Sequence, residues 1–537
     1  MTGAEVLPAR GADCDPSRHR WLKLALFAVW LALVVAMAAR HTLFRDEVRA
    51  LSLALQGRDL GAMLAGIHGE GHPGVWYLLL RGAHALWHSP LVLPLVSIAV
   101  AAAAALLGVL RGPFAWWMVL LGLASRFALF EYSVMARNYG ISVLLMFAVA
   151  ALWPRRRQGG VVLGVLLALL ANTNIHSVIL AGAFLGVWLI EVIGEEGLRW
   201  GGPMRTFVLN AAVCTVGVIV CALTVYPPVN DAAVIAHPGG FGALDLIRAV
   251  LLPAGPLDYL LGLDPQHAPA MLRGPLGRSA LEIGGSVVLY AAAFSLVRRP
   301  AACLAAVVSL VGLSVFSAVI SHGFYRHDAL WLCFVISLHW IGRADPAPAA
   351  PWPASFAPRL EQLAKAGGAI LIALLACQAQ AGVLTAAAAL RAPPPTGPGS
   401  FPALVSSRPD LRQAVILADP DFLLEAMPYY LSNPTWLVRE QRYGAVVHFT
   451  RRARLSLALP DLLDAARRLK AQTGRPVVIL VQTPLRPAAP PAVAKEGYDW
   501  ELRTDPAGVT GFLGAVQPLG HFAQASEDGD FDAYLVK

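Results

Sequence analysis

The sequence predicts a polytopic α-helical membrane protein of about eleven spans, followed by a C-terminal soluble α/β domain. Of its 537 residues, 57% are hydrophobic and only 14% are charged, whereas soluble chains are nearer to 25% charged. Long apolar runs recur between residues 22 and 389, and a membrane span needs about 20 apolar residues. A soluble multidomain protein would need unusually apolar surfaces, and the composition is too apolar for a disordered chain.

The distribution of charge divides the chain into a membrane part and a tail. Residues 1–390 contain 45 charged residues, or about 12%, and residues 391–537 contain 31, or about 21%, which is normal for a soluble domain. We therefore predict a cytoplasmic N-terminal tail at 1–20, a transmembrane domain at 21–389 with outer loops at 40–89 and 226–280, a Pro/Gly linker at 390–400, and a soluble α/β domain on the outer side at 401–537.

The direction of the chain follows from its basic loops. The predicted spans lie near 22–39, 90–110, 113–130, 138–153, 160–174, 177–193, 206–225, 281–297, 301–320, 327–342 and 366–389. We interpret 74–88 as an amphipathic helix on the outer surface, because the later Arg and Lys loops then lie in the cytoplasm, as the positive-inside rule requires. The net charge of +8 resides mostly in these loops, so it does not indicate a nucleic-acid partner.

The tail alternates between strand and helix patterns, which is typical of a small α/β domain. We predict strands at 414–419, 444–449 and 476–483, and helices at 421–431 and 461–474. The whole sequence contains no dinucleotide fingerprint, P-loop, GxSxG or HExxH motif. Five of the six cysteines lie in apolar runs and no CxxC pair occurs, so neither a disulfide framework nor a cysteine metal site is predicted.

The first predicted outer loop contains an acidic pair, Asp46 and Glu47, just after the first span. Adjacent residues of a helix point in different directions, so at most one of the two carboxylates should face a given site. The pair is also consistent with a solvated helix start, where acids are favourable. Further along, His72-Pro73 marks the end of a loop and the start of a helix.

Three further segments place polar groups at predicted outer helix ends. The segment ARNYG contains Arg137 and Tyr139, and Arg137 could snorkel to the membrane surface or bind an anion, with Glu131 as a possible partner. The turn NTNIHS contains His176, and the segment SHGFYRHD contains Tyr325 and Arg326. Ionisable residues at membrane depth are functional candidates, but no spacing here is diagnostic of a metal site.

Together these segments resemble the GT-C superfamily of glycosyltransferases that use polyprenyl-phosphate sugars. The resemblance is strongest to the group of protein mannosyltransferases, aminoarabinose transferases and rhizobial lipopolysaccharide core glycosyltransferases, and it covers residues 20 to about 345. It depends on the acidic pair, the HPGVWYLLL element at 72–80, ARNYG at 136–140 and a late Arg. Two departures occur: HPG replaces the usual HPP, and Tyr325-Arg326 lacks the following Pro of the family's R-Y-x-x-P element.

The resemblance implies sugar transfer from a polyprenyl-phosphate donor to a lipid, glycan or protein acceptor on the periplasmic face of the plasma membrane, with inversion at the anomeric carbon. It implies that Asp46 is the catalytic base and that Glu47 and His72 shape the site. Arg137, with Arg326 and His176, would offset the charge of the leaving phosphate, and Tyr139 and Tyr325 would contact substrate. No cofactor is expected, and a divalent metal is not indicated.

Three other functions are alternatives to sugar transfer. A membrane transporter or lipid flippase would explain the spans, but it explains less well the long first loop and the soluble tail. A ligase or polymerase of lipid-linked glycans also uses outer arginines, but it is not marked by an acidic pair directly after the first span. A non-catalytic scaffold would leave the acidic pair and the arginines unexplained.

Overall fold

A computed structural model describes residues 16–68, 70–226, 242–261, 274–320, 323–345, 354–495, 500–523 and 529–537. Most of the predicted cytoplasmic tail and much of the predicted outer loop at 226–280 lie outside the described residues.

The regular secondary structure of the membrane part is helical in the residues that the structure describes. Its helices are α1 (Pro16–Ala38), α2 (Arg45–Ala54), α3 (Leu60–Gly66), α4 (Val75–Leu86), α5 (Val92–Arg111), α6 (Trp116–Ala124), α7 (Tyr139–Leu152), α8 (Val162–Ala171), α9 (His176–Glu196), α10 (Gly202–Val225), α11 (Ala243–Leu251), α12 (Pro275–Phe294), α13 (Pro300–Val319), α14 (Tyr325–Asp328), α15 (Leu330–Ala344) and α16 (Ala357–Arg391). A π-helical turn, Phe127–Glu131, follows α6.

The fold class predicted from the sequence is confirmed. Among the described residues, six helices are long and apolar enough to cross a membrane, namely α1, α5, α9, α10, α13 and α16. The other predicted spans also coincide with helices, which are shorter or less apolar: α6 with the π-helical turn, α7, α8, α12 and α15. The number of spans and their direction stay predictions.

Close helix packing in this part depends on small residues. Helices α8 and α10 approach so closely that a Cβ on Gly164 would lie 2.8 Å from the backbone of Asn210. The Asn210 amide uses this proximity, because its oxygen accepts the Gly164 N–H at 2.6 Å and its nitrogen donates to the Gly160 carbonyl at 2.8 Å. A buried polar side chain is therefore fully paired between two apolar helices, which avoids the cost of leaving it unsatisfied.

Helix α4 has the two-sided character predicted for residues 74–88. Trp76, Tyr77 and Leu80 are buried, and the helix packs against α2 and α5. Its opposite side exposes apolar residues, including Leu86, which is 90% exposed. Since an exposed apolar helix side is stable against lipid, this pattern supports an interfacial position.

The C-terminal part is a strand-containing α/β domain, as predicted. Its helices are α17 (Phe401–Ser407), α18 (Met427–Tyr430), α19 (Leu459–Thr473) and α20 (Pro506–Ala515). Its strands are β1 (Val415–Asp419), β2 (Thr435–Leu437), β3 (Arg442–Tyr443), β4 (Ser456–Ala458), β5 (Val477–Val481), β6 (Ala492–Lys495), β7 (Glu501–Thr504), β8 (Val516–Phe522) and β9 (Phe531–Val536).

Two sheets form this domain. The larger has the strand order β3-β2-β1-β5-β9-β8, with parallel pairing of β1 to β2 and β5 and antiparallel pairing elsewhere. The smaller has the order β4-β7-β6. The central strands β1 and β5 are buried on both faces of the larger sheet, which explains why their sequences are continuous apolar runs.

Two predictions for this domain are wrong. Residues 444–449 are irregular instead of a strand, because side chains occupy their backbone groups: Glu425 accepts the Val447 N–H at 2.8 Å, and Arg49 donates to the Val447 carbonyl at 2.8 Å. Residues 421–431 form a 3-10 turn and the short α18 instead of one helix. The Asp421 carboxylate accepts backbone N–H groups at 438 and 439, and Pro428 cannot donate within a helix.

The C-terminal domain contacts α2 through a buried set of groups that we call the Arg49 cluster: Arg49, Glu70, Glu425, the Val447 carbonyl and the Phe449 ring. The Arg49 guanidinium donates from Nε to Glu70 at 2.8 Å and also pairs with Glu425. Its carbon lies 5.1 Å from the centre of the Phe449 ring. Nearby, the Tyr430 hydroxyl accepts the Leu43 N–H at 2.7 Å.

We predict that Arg49→Met destabilises the protein by about 3 kcal/mol or more, because it leaves the Glu425 carboxylate buried without its cation. Adding Glu425→Gln should recover part of the loss, since the buried charge is then removed. The measurement is the midpoint of thermal unfolding in detergent. Arg454→Met is the matched control, because Arg454 pairs with Asp461 while 41% exposed, and exposed pairs contribute little. Equal effects of Arg49→Met and Arg454→Met would contradict the prediction.

Candidate active site

Asp46, His72 and Arg137 meet at one point, although 91 residues separate the first and last of them. Arg137 Nη1 lies 2.9 Å from Asp46 Oδ2, and Arg137 Nη2 donates to His72 Nε2 at 3.0 Å. Arg45 Nε also donates to Asp46 Oδ1, at 3.0 Å. The Arg137 side chain is 8% exposed and that of Asp46 is 23% exposed, so the carboxylate stays accessible while its cation is largely covered.

The surrounding cations keep Asp46 ionised. Burial alone would raise the pKa of the Asp46 carboxyl, but the charges of Arg137, Arg45 and Arg326 outweigh burial and hold this pKa well below its usual value. Burial and the adjacent Arg137 lower the pKa of His72 to about 3. His72 is therefore a neutral acceptor toward Arg137, and the site contains an ionised carboxylate beside more than one guanidinium.

Glu47 points away from this carboxylate and is fully buried. It accepts the Phe44 N–H at 3.1 Å and the Ala136 N–H at 2.6 Å, and it lies 2.9 Å from His41 Nε2. The acidic pair therefore divides into two environments, as neighbouring positions on a helix require. Glu47 joins the start of α2 to the segment that carries Arg137.

That segment, residues 132–138, runs between the π-helical turn and α7. The Ser97 hydroxyl donates to the carbonyls of Ser133 and Met135, both at 3.1 Å. The backbone at Gly140 passes close to that of Tyr132, and only glycine fits there. A Cβ at position 140 would lie 2.7 Å from the Tyr132 carbonyl oxygen. Glu131 does not pair with Arg137, contrary to the possibility considered from the sequence. It pairs with Arg126, at 2.9 Å, and Asp46 is the carboxylate that Arg137 contacts.

Aromatic rings form one wall beside these groups. Tyr139 is fully buried, and its hydroxyl lies 2.7 Å from His327 Nε2. The Phe324 N–H donates to His327 Nδ1 at 2.8 Å, so the proton of a neutral His327 resides on Nε2 and is donated to Tyr139. The His176 ring stacks on that of His327, with centroids 4.5 Å apart.

The two residues of the late motif face different surroundings. Arg326 is 4% exposed and contributes to the positive potential at Asp46. Tyr325 instead bonds to Gln378 of α16 and lies under the Arg126 guanidinium, 4.5 Å from ring centre to carbon. The structure thus brings His72, Arg137, Tyr139, His176 and Arg326 toward Asp46, and it places Tyr325 in a helix-packing contact.

Sequence reasoning missed two residues of the site, Arg45 and Asn138. Both adjoin selected residues, and their contacts depend on the tertiary fold: the Asn138 amide donates to the Thr173 carbonyl of the NTNIHS turn. Within the described residues, no group of three or more His, Cys, Asp or Glu side chains is arranged to hold a metal ion.

A mainly apolar cavity of about 200 Å³ lies between α1, α5, α6, α7, α15 and α16. Tyr132 and Gly140 line it near the site, and the Tyr132 hydroxyl donates to the Arg326 carbonyl at 2.8 Å. His339 and Arg343 line it near the other end of α15. The cavity therefore runs from Tyr132 and Gly140, on either side of Arg137 in the chain, to the other end of α15.

Comparisons with known proteins find similarity to solved structures. No family model matches the sequence, and no curated protein matches it significantly. The chain is similar to the crystal structure of ArnT from Cupriavidus metallidurans bound to undecaprenyl phosphate, with 12% identity, a TM-score of 0.45, and coverage of 96% of this chain and 98% of that one. It is also similar to the apo state of the same ArnT, with 13% identity, a TM-score of 0.42, and coverage of 97% and 98%.

Proposed function

We propose that this chain is a GT-C glycosyltransferase that moves a sugar from a polyprenyl-phosphate donor to a lipid, glycan or protein acceptor on the extracytoplasmic face of the plasma membrane. The observation that carries the proposal is the contact between Asp46 and Arg137. An apolar cavity reaches Tyr132 and Gly140, which flank Arg137 in the chain. Together they combine an ionised carboxylate, a cation suited to phosphate and a space suited to an apolar chain.

The donor's phosphate would bind at Arg137. A guanidinium matches phosphate oxygens in a bidentate manner, and such charge-assisted hydrogen bonds are strong where water is scarce. Arg45 and Arg326 add positive potential at the same point. The isoprenoid chain would occupy the apolar cavity, whose Tyr132 and Gly140 lining lies close to the Arg137 segment.

Asp46 would act as the general base once a donor phosphate bound at Arg137 offsets the positive charge that holds the pKa of its carboxyl low. It takes the proton of the acceptor hydroxyl while the acceptor oxygen bonds to the anomeric carbon of the sugar. The bond from that carbon to the phosphate oxygen breaks, and polyprenyl phosphate leaves with the electron pair, stabilised by Arg137. Attack opposite the leaving group inverts the anomeric centre. This sequence of events uses no cofactor, and we propose that transfer requires none.

The proposal predicts that the purified protein releases lipid phosphate from at least one polyprenyl-phosphate sugar. The assay incubates the protein in bilayer discs with undecaprenyl-phosphate-linked glucose, mannose, galactose or aminoarabinose, together with candidate lipid and glycan acceptors. Release of undecaprenyl phosphate coupled to glycosylation of an acceptor is expected, and EDTA should leave the rate unchanged. Movement of intact lipid-linked sugar across the bilayer without bond cleavage would instead support the flippase alternative.

For Asp46→Asn we predict a loss of transfer of about 10²–10⁴-fold, because the amide cannot accept a proton at neutral pH. Binding of undecaprenyl phosphate should remain, since Arg137 is unchanged. Glu47→Gln should lower the transfer rate less, because Glu47 bonds to backbone groups and His41. Transfer rate and donor binding are measured separately in both variants. Full activity of Asp46→Asn would refute its role as base.

For Arg137→Lys we predict that the dissociation constant of undecaprenyl phosphate rises about tenfold or more, because lysine retains the charge but loses the two-pronged donor geometry. Calorimetric titration of the lipid into protein in detergent gives this constant. Arg298→Lys is the matched control, since Arg298 is 70% exposed in an ion pair with Glu361. Wild-type affinity in Arg137→Lys would show that Arg137 does not bind the phosphate.

A further inference from the structure

Buried polar atoms without partners remain beside the Arg137 site. Asn138 is 2% exposed and His176 is 8% exposed. The Asn138 Oδ1 atom and both ring nitrogens of His176 have no hydrogen-bond partner among the described residues. Native proteins satisfy nearly all buried polar atoms, and exceptions at one place indicate a role for those atoms.

The orientation of the Asn138 amide is determined by the hydrogen bond that its nitrogen donates. Nδ2 donates to the Thr173 carbonyl, and it lies 3.5 Å from His72 Nδ1. Since the carbonyl of Thr173 can only accept, the amide nitrogen must face it. Oδ1 is therefore the atom that is left to accept a hydrogen bond from another molecule.

The His176 ring is held by stacking instead of hydrogen bonding. It lies parallel to the His327 ring, with 4.5 Å between centroids and 16° between planes, and it meets the Phe316 ring edge to face at 4.8 Å. These two ring contacts fix the position of the His176 side chain. A neutral imidazole offers one donor and one acceptor at its edge, and His176 uses neither with the described residues.

The side chains of Thr173, Asn174 and Ser177 in the NTNIHS turn are paired with one another or with Ser142. The hydroxyls of Ser142 and Thr173 lie 2.7 Å apart, and Asn174 Nδ2 donates to the Ser142 hydroxyl at 2.8 Å. The Ser177 hydroxyl donates to Asn174 Oδ1 at 3.0 Å. This network supplies hydrogen-bond partners to these polar side chains of the NTNIHS turn. The turn therefore does not require Asn138 Oδ1 or the nitrogens of His176 for its own structure.

We infer that Asn138 and His176 form a subsite for the sugar ring of the donor, and that they bind its hydroxyl groups. The inference rests on the proposed function, in which the neighbouring Arg137 binds the donor phosphate. The sugar is joined to that phosphate through a single oxygen, so its ring must lie next to Arg137, where Asn138 is the following residue. Sugar hydroxyls both donate and accept, which matches an amide oxygen and an imidazole edge.

The test compares binding of a lipid phosphate with and without the sugar. The probes are bare undecaprenyl phosphate and the undecaprenyl-phosphate-linked glucose, mannose, galactose and aminoarabinose. Asn138→Ala and His176→Phe should each raise the dissociation constant of the best-bound glycosylated lipid about tenfold, the usual scale for losing a buried hydrogen bond. Both variants should bind bare undecaprenyl phosphate like wild type, and His176→Gln should recover part of the loss.

Retained binding of the bare lipid also reports that each variant is folded. Equal weakening for bare and glycosylated lipids would overturn the inference, because it would indicate a structural role. Wild-type protein that binds every glycosylated lipid no better than the bare one would also overturn it. The proposed function fails differently: bare undecaprenyl phosphate would then not bind to wild type at all, or would bind independently of Arg137. Asn138→Ser provides a second, smaller change in place of a poorly folding Asn138→Ala.

Discussion

The ion pair between Asp46 and Arg137 is the interaction on which the candidate site depends. It joins the start of α2 to the segment before α7, with 2.9 Å between charged atoms. Two further cations, Arg45 and Arg326, act on the same carboxylate. A carboxylate in such a potential stays ionised, and a guanidinium beside it can accept an anion in exchange. The same contact therefore organises the site and holds a cation where an anion could bind.

The short helix that carries Asp46 is held from several sides. Glu47 bonds to the Ala136 N–H of the opposite segment at 2.6 Å, and the Arg49 cluster joins the helix to the C-terminal domain. The Arg45 guanidinium lies 4.9 Å from the centre of the Phe422 ring of that domain. A ten-residue helix has little stability of its own, so its position is determined by these contacts. The C-terminal domain thus contributes to the geometry of a site that lies in the helical part.

The sequence predicted the fold class and the residues Asp46, His72 and Arg137, because composition, charge bias and short motifs are local properties of the chain. It did not predict which groups meet. Glu131 pairs with Arg126 because the π-helical turn places both on one side, and Tyr325 bonds to Gln378 of a helix some fifty residues later. Residues 444–449 have the sequence pattern of a strand. The backbone groups of Val447 instead form hydrogen bonds with the side chains of Arg49 and Glu425. Such long-range competition leaves no periodic signal in a sequence.

The most direct test of the account is an electron cryomicroscopy structure of the protein in a bilayer disc with undecaprenyl phosphate bound. The account predicts phosphate oxygens about 2.8 Å from the Arg137 guanidinium nitrogens, with the isoprenoid chain in the cavity lined by Tyr132 and the Asp46 carboxylate facing the phosphate. A phosphate bound elsewhere, with the contact between Asp46 and Arg137 intact and the cavity without lipid, would contradict it.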